Sequence, residues 1–178
     1  MIFEELPLEG AFVIVMEPIE DERGFNARAW CAREFEAAGL TTVIKQVNMV
    51  QNHRRGTLRG MHYQRAPMAE TKLVRVTAGS LCDVIVDLRP DSATYGRWHS
   101  VTLSASEPKM LQIPEGCAHG LQTLEHNTQF MYQVSQFHSP DHAAGFRYDD
   151  PRFSIEWPLE VTSISAKDEA WPPFEEVR

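Results

Sequence analysis

The sequence predicts an all-β fold, a sandwich or barrel of short strands carrying one or two short helices. Three observations lead there. The middle of the chain is a series of short apolar segments with a period of two. Turn residues separate those segments at close intervals. One stretch has a clear helical stripe. In Ala29 to Ala38, Cys31, Phe35 and Ala38 share one face, and Gly39 stands where a helix stops. The first clear strand is Lys72 to Thr77, and Ala78-Gly79-Ser80 turns out of it. Leu81 to Leu88 is the next. It places Cys82, Val84, Val86 and Leu88 on one face and Leu81, Asp83, Ile85 and Asp87 on the other. Arg89-Pro90-Asp91-Ser92 ends it. Trp98 to Leu103, Met110 to Ile113, Gly120 to Leu124 and Thr128 to Phe137 follow as further strands. From Ser163 onward, with Pro172-Pro173, an irregular tail is expected.

The 178 residues suit a single domain, 1–178, whose N-terminal segment and C-terminal tail pack on a central barrel. Hydrophobic residues make up 43% and charged residues 24%, a globular composition. No apolar run approaches the ~18 residues that span a bilayer, so no membrane association is expected. Met1 to Glu5 carries two acids and no basic stretch, unlike a secretory signal. Cys31, Cys82 and Cys117 are odd in number and lack metal-type spacing, as in a reduced, cytoplasmic protein. The net charge of −8 argues against nucleic acid as a partner. It leaves room for an anionic ligand in a local basic pocket.

Four segments carry residues suited to chemistry. Arg54 to Gln64 reads Arg-Arg-Gly-Thr-Leu-Arg-Gly-Met-His-Tyr-Gln. A strand bearing Arg59 and His62 can hold an anion with its guanidinium beside an imidazole, or be a solvated basic strand. Pro114-Glu-Gly-Cys-Ala-His119-Gly resembles the second motif of cupins, the double-stranded β-helix (jelly roll) barrels. Metal cupins add a second histidine two residues after the first, and that position here is Gln64. A catalytic metal wants three ligands, so a metal-free barrel is expected. Phe130, Tyr132 and Val134 share an apolar strand face, where a phenol is either a core tyrosine or an acid. Lys72, just before Leu73-Val74, is a strand-edge lysine or a buried cation. Ser165-Ala-Lys167-Asp168 reads alone as a polar turn.

Taken together, these segments resemble dTDP-4-dehydrorhamnose 3,5-epimerases and related sugar-nucleotide epimerases. The resemblance runs from Asp21-Glu-Arg-Gly-Phe25 through Gly56 to Gln64, Lys72-Leu-Val-Arg-Val76 and Asp83 to Arg89. It continues through Pro114 to Gly120, Tyr132, Asp149-Asp-Pro151 and Trp157-Pro158 to Ser165-Ala-Lys-Asp168. It implies a cupin-type jelly roll, a homodimer, and no metal or organic cofactor. It implies epimerisation of a nucleotide-diphosphate 4-keto-6-deoxy sugar at C3 and/or C5. His62 is then the general base, Asp168 its partner, Tyr132 the proton donor, and Lys72 lies beside the keto oxygen. Arg23, Phe25, Gln46, Asn48, Arg59, His119, His138 and Lys167 are implied in ligand binding, with Arg23 and Phe25 reaching the neighbouring subunit's site.

The residue types suit that chemistry. Hydrogens on C3 and C5 flank a ketone, so removing either gives an enolate. A neutral imidazole is matched to that abstraction near pH 7. The chain departs from the family pattern at Arg28, where a glutamate is usual, and at His138 and Ala143, where an aromatic residue and a glutamate are usual. Those positions bear on which nucleotide and sugar bind. The other classes to weigh are a metal-dependent cupin dioxygenase or isomerase using His62, His119 and a third ligand, and a non-catalytic sugar-nucleotide binding module.

Overall fold

A computed structural model describes residues 1–175. Strands β1 (Ile2–Glu5) and β2 (Phe12–Val15) form a hairpin. β3 (Ile19–Asp21) and β4 (Gly24–Asn26) form a second hairpin outside the main sheets. Helix α1 (Ala32–Ala37) leads to β5 (Gln46–Asn52), β6 (Leu58–Gln64), β7 (Lys72–Ala78) and β8 (Ser80–Asp87). Then come β9 (Trp98–Ser104), β10 (Lys109–Ile113), β11 (Cys117–Thr123), β12 (Thr128–Val134) and β13 (Ala143–Gly145), and helix α2 (Ala166–Glu169).

From β5 to β13 the chain passes back and forth between two antiparallel sheets, with only β8 and β9 adjacent in one sheet. One sheet has the order β1-β2-β10-β7-β12-β5, the other β13-β6-β11-β8-β9. That alternation is the cupin-type jelly roll. The facing surfaces meet in a core that includes Val74, Val76 and Phe130 from the first sheet and Leu81, Ile85 and Leu121 from the second. Each such side chain contributes about 2 kcal/mol by leaving water. The outer face of the second sheet is covered as well, by Phe146, Phe153 and Phe174 over Met61, Val84 and Val86. β8 is therefore buried along its whole length, and so are Asp83 and Asp87, the two carboxylates that share a face with Leu81 and Ile85.

Several boundaries differ from the sequence expectation. The helix expected over Ala29–Ala38 begins only at Ala32, because Cys31 is extended at φ −151° and ψ 118°. Its end agrees: Gly39 takes φ +73°, which glycine adopts without strain. β11 starts at Cys117 rather than Gly120, since Asp87 of β8 still pairs with Cys117. The strand expected to reach Phe137 stops at Val134, where Gln46 of β5 and Lys72 of β7, its partners on both sides, run out. The tail is not wholly irregular. Ser165 caps α2 by accepting a hydrogen bond from the Asp168 amide at 3.0 Å. β1 to β5 and β13 had no clear periodic signal. The cysteines are free thiols. Among the described residues no helix is long and apolar enough to cross a membrane.

Candidate active site

One face of the six-stranded sheet sets half of the site. Residue alternation aims Gln46, Asn48 and Val50 of β5, Tyr132 and Val134 of β12, and Lys72 and Val74 of β7 toward the second sheet. The register stacks them in rows across the sheet: Gln46–Val134–Lys72, then Asn48–Tyr132–Val74, then Val50–Phe130–Val76. The rows grade from polar to apolar with depth, so the barrel is open to polar ligands at one level and sealed by core below.

The opposite wall comes from β6 and β11. Strict alternation would put Arg59 and His62 on opposite faces. The register avoids this: His119 pairs with His62, but Leu121 pairs with Arg59, so β6 carries one extra residue. Gly60 sits in that bulge at φ +127°, and a Cβ there would lie 2.6 Å from the Gly120 Cα. Glycine at this point is what lets one short strand present both a guanidinium and an imidazole to the same cavity.

The cavity between the walls has a volume of about 560 Å³, the size of a small-molecule site. His62 Nε2 lies 2.7 Å from Asp168 Oδ1, and the Gly60 amide donates to Asp168 Oδ2 at 3.3 Å. Burial alone would push the Asp168 carboxyl up. The His62 ring, the Gly60 amide and the Ser165 contact outweigh it and hold the carboxyl below its ordinary range. Asp168 is 7% exposed while the His62 ring is 42% exposed, so the carboxylate is fixed and the imidazole remains open to the cavity. The Trp171 ring stands edge-on to His62, with the ring centroids 6.5 Å apart.

Across the cavity, burial raises the Tyr132 phenol above its ordinary value; the charge of Glu70 adds to this and Arg59 opposes it. The phenol therefore keeps its proton at neutral pH. Lys72 is buried and forms an ion pair with Glu70. His119 Nε2 lies 2.7 Å from Asp83 Oδ1, an ion-pair distance without hydrogen-bond alignment, and Asp83 is wholly buried. Arg59 Nε donates to Asn52 Oδ1 at 2.7 Å. Lys167 lies over the Trp171 ring at 5.7 Å. Gln46 Oε1 accepts from the His138 amide at 2.6 Å.

The structure thus brings His62, Asp168, Tyr132, Lys72, Gln46, Asn48, Arg59, His119, His138 and Lys167 to one cavity. Arg23 and Phe25 are not there. They lie on the β3–β4 hairpin, exposed, with Arg23 paired to Asp21 at 2.5 Å. Arg28 is also outside the cavity, paired with Glu34 at 2.7 Å, while His138 and Ala143 line it. Sequence reasoning missed Glu70, Asp83 and Trp171. For Asp83 the signal existed: it is a carboxylate on the Leu81–Ile85 face of β8, which points into the barrel. Glu70 lies in the β6–β7 connection, and nothing local marks it. Gln64, where a metal cupin has histidine, has its amide engaged by the Met68 carbonyl at 2.8 Å and by Glu70 at 3.2 Å. Among the described residues, no group of three or more His, Cys, Asp or Glu is arranged to hold a metal.

Comparison with known proteins agrees over nearly the whole chain. The family model described as dTDP-4-dehydrorhamnose 3,5-epimerase matches residues 5–176. The chain is 39% identical over 177 residues to the dTDP-4-dehydrorhamnose 3,5-epimerase of Methanothermobacter thermautotrophicus, covering 98% of this chain and 95% of that protein. The crystal structure of dTDP-4-dehydrorhamnose 3,5-epimerase from Elizabethkingia anophelis superimposes with a TM-score of 0.94 at 32% identity, covering 98% and 96% of the two chains. The Legionella pneumophila dTDP-6-deoxy-D-glucose-3,5-epimerase, solved with dTDP-4-keto-L-rhamnose, gives 0.88 at 32% identity, covering 98% of each chain.

Proposed function

Because this chain belongs to the dTDP-4-dehydrorhamnose 3,5-epimerase family, we propose that it is an isomerase converting dTDP-4-dehydro-6-deoxyglucose to dTDP-4-dehydrorhamnose. One observation carries the assignment of roles. A base dyad, His62–Asp168, stands on one wall of the cavity, and a protonated phenol, Tyr132, stands on the other.

With Asp168 fixing the proton on Nε2, His62 Nδ1 is left as the basic atom. It takes the hydrogen from the carbon next to the ketone, and the electron pair moves onto the C4 oxygen. Asp168 stabilises the imidazolium that results. The Lys72 ammonium faces the developing enolate, an interaction worth about 3 kcal/mol for a preorganised donor. Tyr132 then gives its proton to the opposite face of the same carbon, which inverts it. The same groups serve C3 and C5, since both flank one ketone, once the His62 imidazolium has released its proton to water and the Tyr132 phenolate has taken one up. Arg59 and Lys167 are exposed cations with no carboxylate at ion-pair distance among the described residues, and they suit the diphosphate.

The enzyme acts as one 1–178 unit in the cytoplasm, consistent with its free thiols, and as a homodimer. The support for a dimer is a set of exposed apolar side chains. Val47 and Met49 are exposed on β5, an edge strand, and Val43, Ile44 and Phe25 are exposed near the N-terminal half. Arg23 and Phe25, off their own cavity, are then available to a neighbour's. The proposal is tested by incubating the dTDP-4-keto sugar in deuterated water and following C3 and C5 by NMR. Deuterium entry at both carbons with formation of the rhamno epimer is expected. Intact protium at both carbons after prolonged incubation would overturn it.

A further inference from the structure

The basic side chains of the cavity fall into two kinds. His62, His119 and Lys72 lie inward and each has a carboxylate: Asp168, Asp83 and Glu70. Arg59 and Lys167 lie at the exposed rim, and among the described residues neither has one. Glu70 is the least obvious member of this pattern, because it belongs to no strand. Its side chain is 11% exposed and its position is over-determined. One oxygen meets the Lys72 ammonium and the other accepts from Gln64 Nε2 at 3.2 Å. Gln64 is itself pinned, since its Oε1 accepts from the Ser139 amide at 2.7 Å. Gln64 is on β6 and Lys72 on β7, so Glu70 links the two walls at the cavity's edge.

A buried, unpaired ammonium in this place would attract the most highly charged part of any ligand. For a nucleotide sugar that part is the diphosphate, not the ketone. Two charges of opposite sign in contact present almost no net charge at a distance, yet the ammonium keeps N–H donors for an oxygen that approaches closely. Resting on the proposed epimerase reading, we propose that Glu70 is a positioning and selectivity residue: it holds Lys72 at the cavity wall and cancels its charge toward phosphate, so that the diphosphate settles on Arg59 and Lys167 and the sugar ketone reaches Lys72.

The test compares Glu70→Gln and Glu70→Asp with the wild-type enzyme. Glutamine keeps the shape and removes the charge; aspartate keeps the charge on a shorter arm. Inorganic phosphate and pyrophosphate are titrated by calorimetry, which needs no turnover. They are then used as competitive inhibitors. For Glu70→Gln we expect phosphate to bind and inhibit about tenfold more tightly, the size of one charge-assisted contact, and kcat to fall about tenfold as Lys72 loses its anchor. Glu70→Asp should keep the wild-type affinity for phosphate. A merely structural role would lower the melting temperature without changing phosphate affinity. Unchanged phosphate affinity in a folded Glu70→Gln protein would overturn the proposal, whatever the wild-type enzyme does to a keto sugar.

Discussion

Strands β6 and β8 flank β11 on either side, and each neighbourhood holds a buried aspartate against a basic side chain. On the β8 side, Asp87 is 0% exposed and saturated. Arg89 donates to it through Nε at 2.9 Å, Nη2 at 2.7 Å and its own amide at 3.0 Å, and the Ser92 and Thr94 hydroxyls donate at 2.6 Å each. On the β6 side, Asp168 has the His62 ring and the Gly60 amide. The residue types are alike; the number of partners is not. A carboxylate whose lone pairs are all used fastens a loop. A carboxylate that holds one edge of a ring leaves the other edge to a substrate. The first arrangement suits stability, the second suits rate.

If the two neighbourhoods divide in this way, substitutions on the β6 side cost rate and those on the β8 side cost stability. The largest effect belongs to His62→Ala. Without a base, exchange at both carbons should fall by about 10⁴-fold or more, with the melting temperature near that of the wild type. Next is Asp168→Asn. It preserves shape but leaves the imidazolium without its partner, and turnover should drop on the order of 10³-fold. Near-full turnover in that variant would break the dyad assignment and the comparison with it.

Asp87→Asn should do the reverse. It leaves the partly buried Arg89 guanidinium without its counter-charge, for a loss of about 3 kcal/mol. At this chain length that corresponds to a melting point lower by roughly 10 °C, with kcat intact in the protein that remains folded. The same residue sets a pH dependence. Burial pushes the Asp87 carboxyl up, but Arg89, Ser92 and Thr94 outweigh it and hold the carboxyl well below the usual carboxylate range. The folded state thus binds its proton later than the unfolded chain, whose aspartates titrate near ~3.9. The stabilisation is complete above that pH and is lost as the pH falls below it. Urea unfolding at pH 7 and pH 3 should show a larger difference for the wild type than for Asp87→Asn.

The smallest effect concerns the thiols. Burial is the main force that pushes Cys82 up to about 11 and Cys117 up to about 12. Both should resist iodoacetamide at pH 8 in the native enzyme, because the thiolate is the reactive form. Rapid alkylation of either would show that β8 and β11 open far more easily than their burial implies.

The two neighbourhoods were not equally legible in the sequence. Leu81 to Leu88 displays its alternation plainly, and Asp87 could be placed on the face it shares with Leu81 and Ile85. What holds Asp87 is also local, since Arg89, Ser92 and Thr94 lie within seven residues of it. The β6 dyad is a different matter. Asp168 follows His62 by 106 residues, and the Ser-Ala-Lys-Asp turn alone gave no reason to join them. Only the family resemblance did so. Periodicity would also have separated Arg59 from His62, because a bulge is a tertiary event that a glycine permits but does not announce. Glu70 was invisible for the same reason: its partners are set by how a connection folds over the end of β6.

The central claim is that the two walls of the cavity do different halves of one inversion. Tyr132→Phe keeps the ring in its row and removes only the donated proton. In deuterated water, this variant should still exchange the substrate hydrogens through His62. Deuterium should return to the original face, giving washout without the epimer. Formation of the epimer at the wild-type rate would contradict the claim and leave Tyr132 as a wall of the cavity rather than an acid.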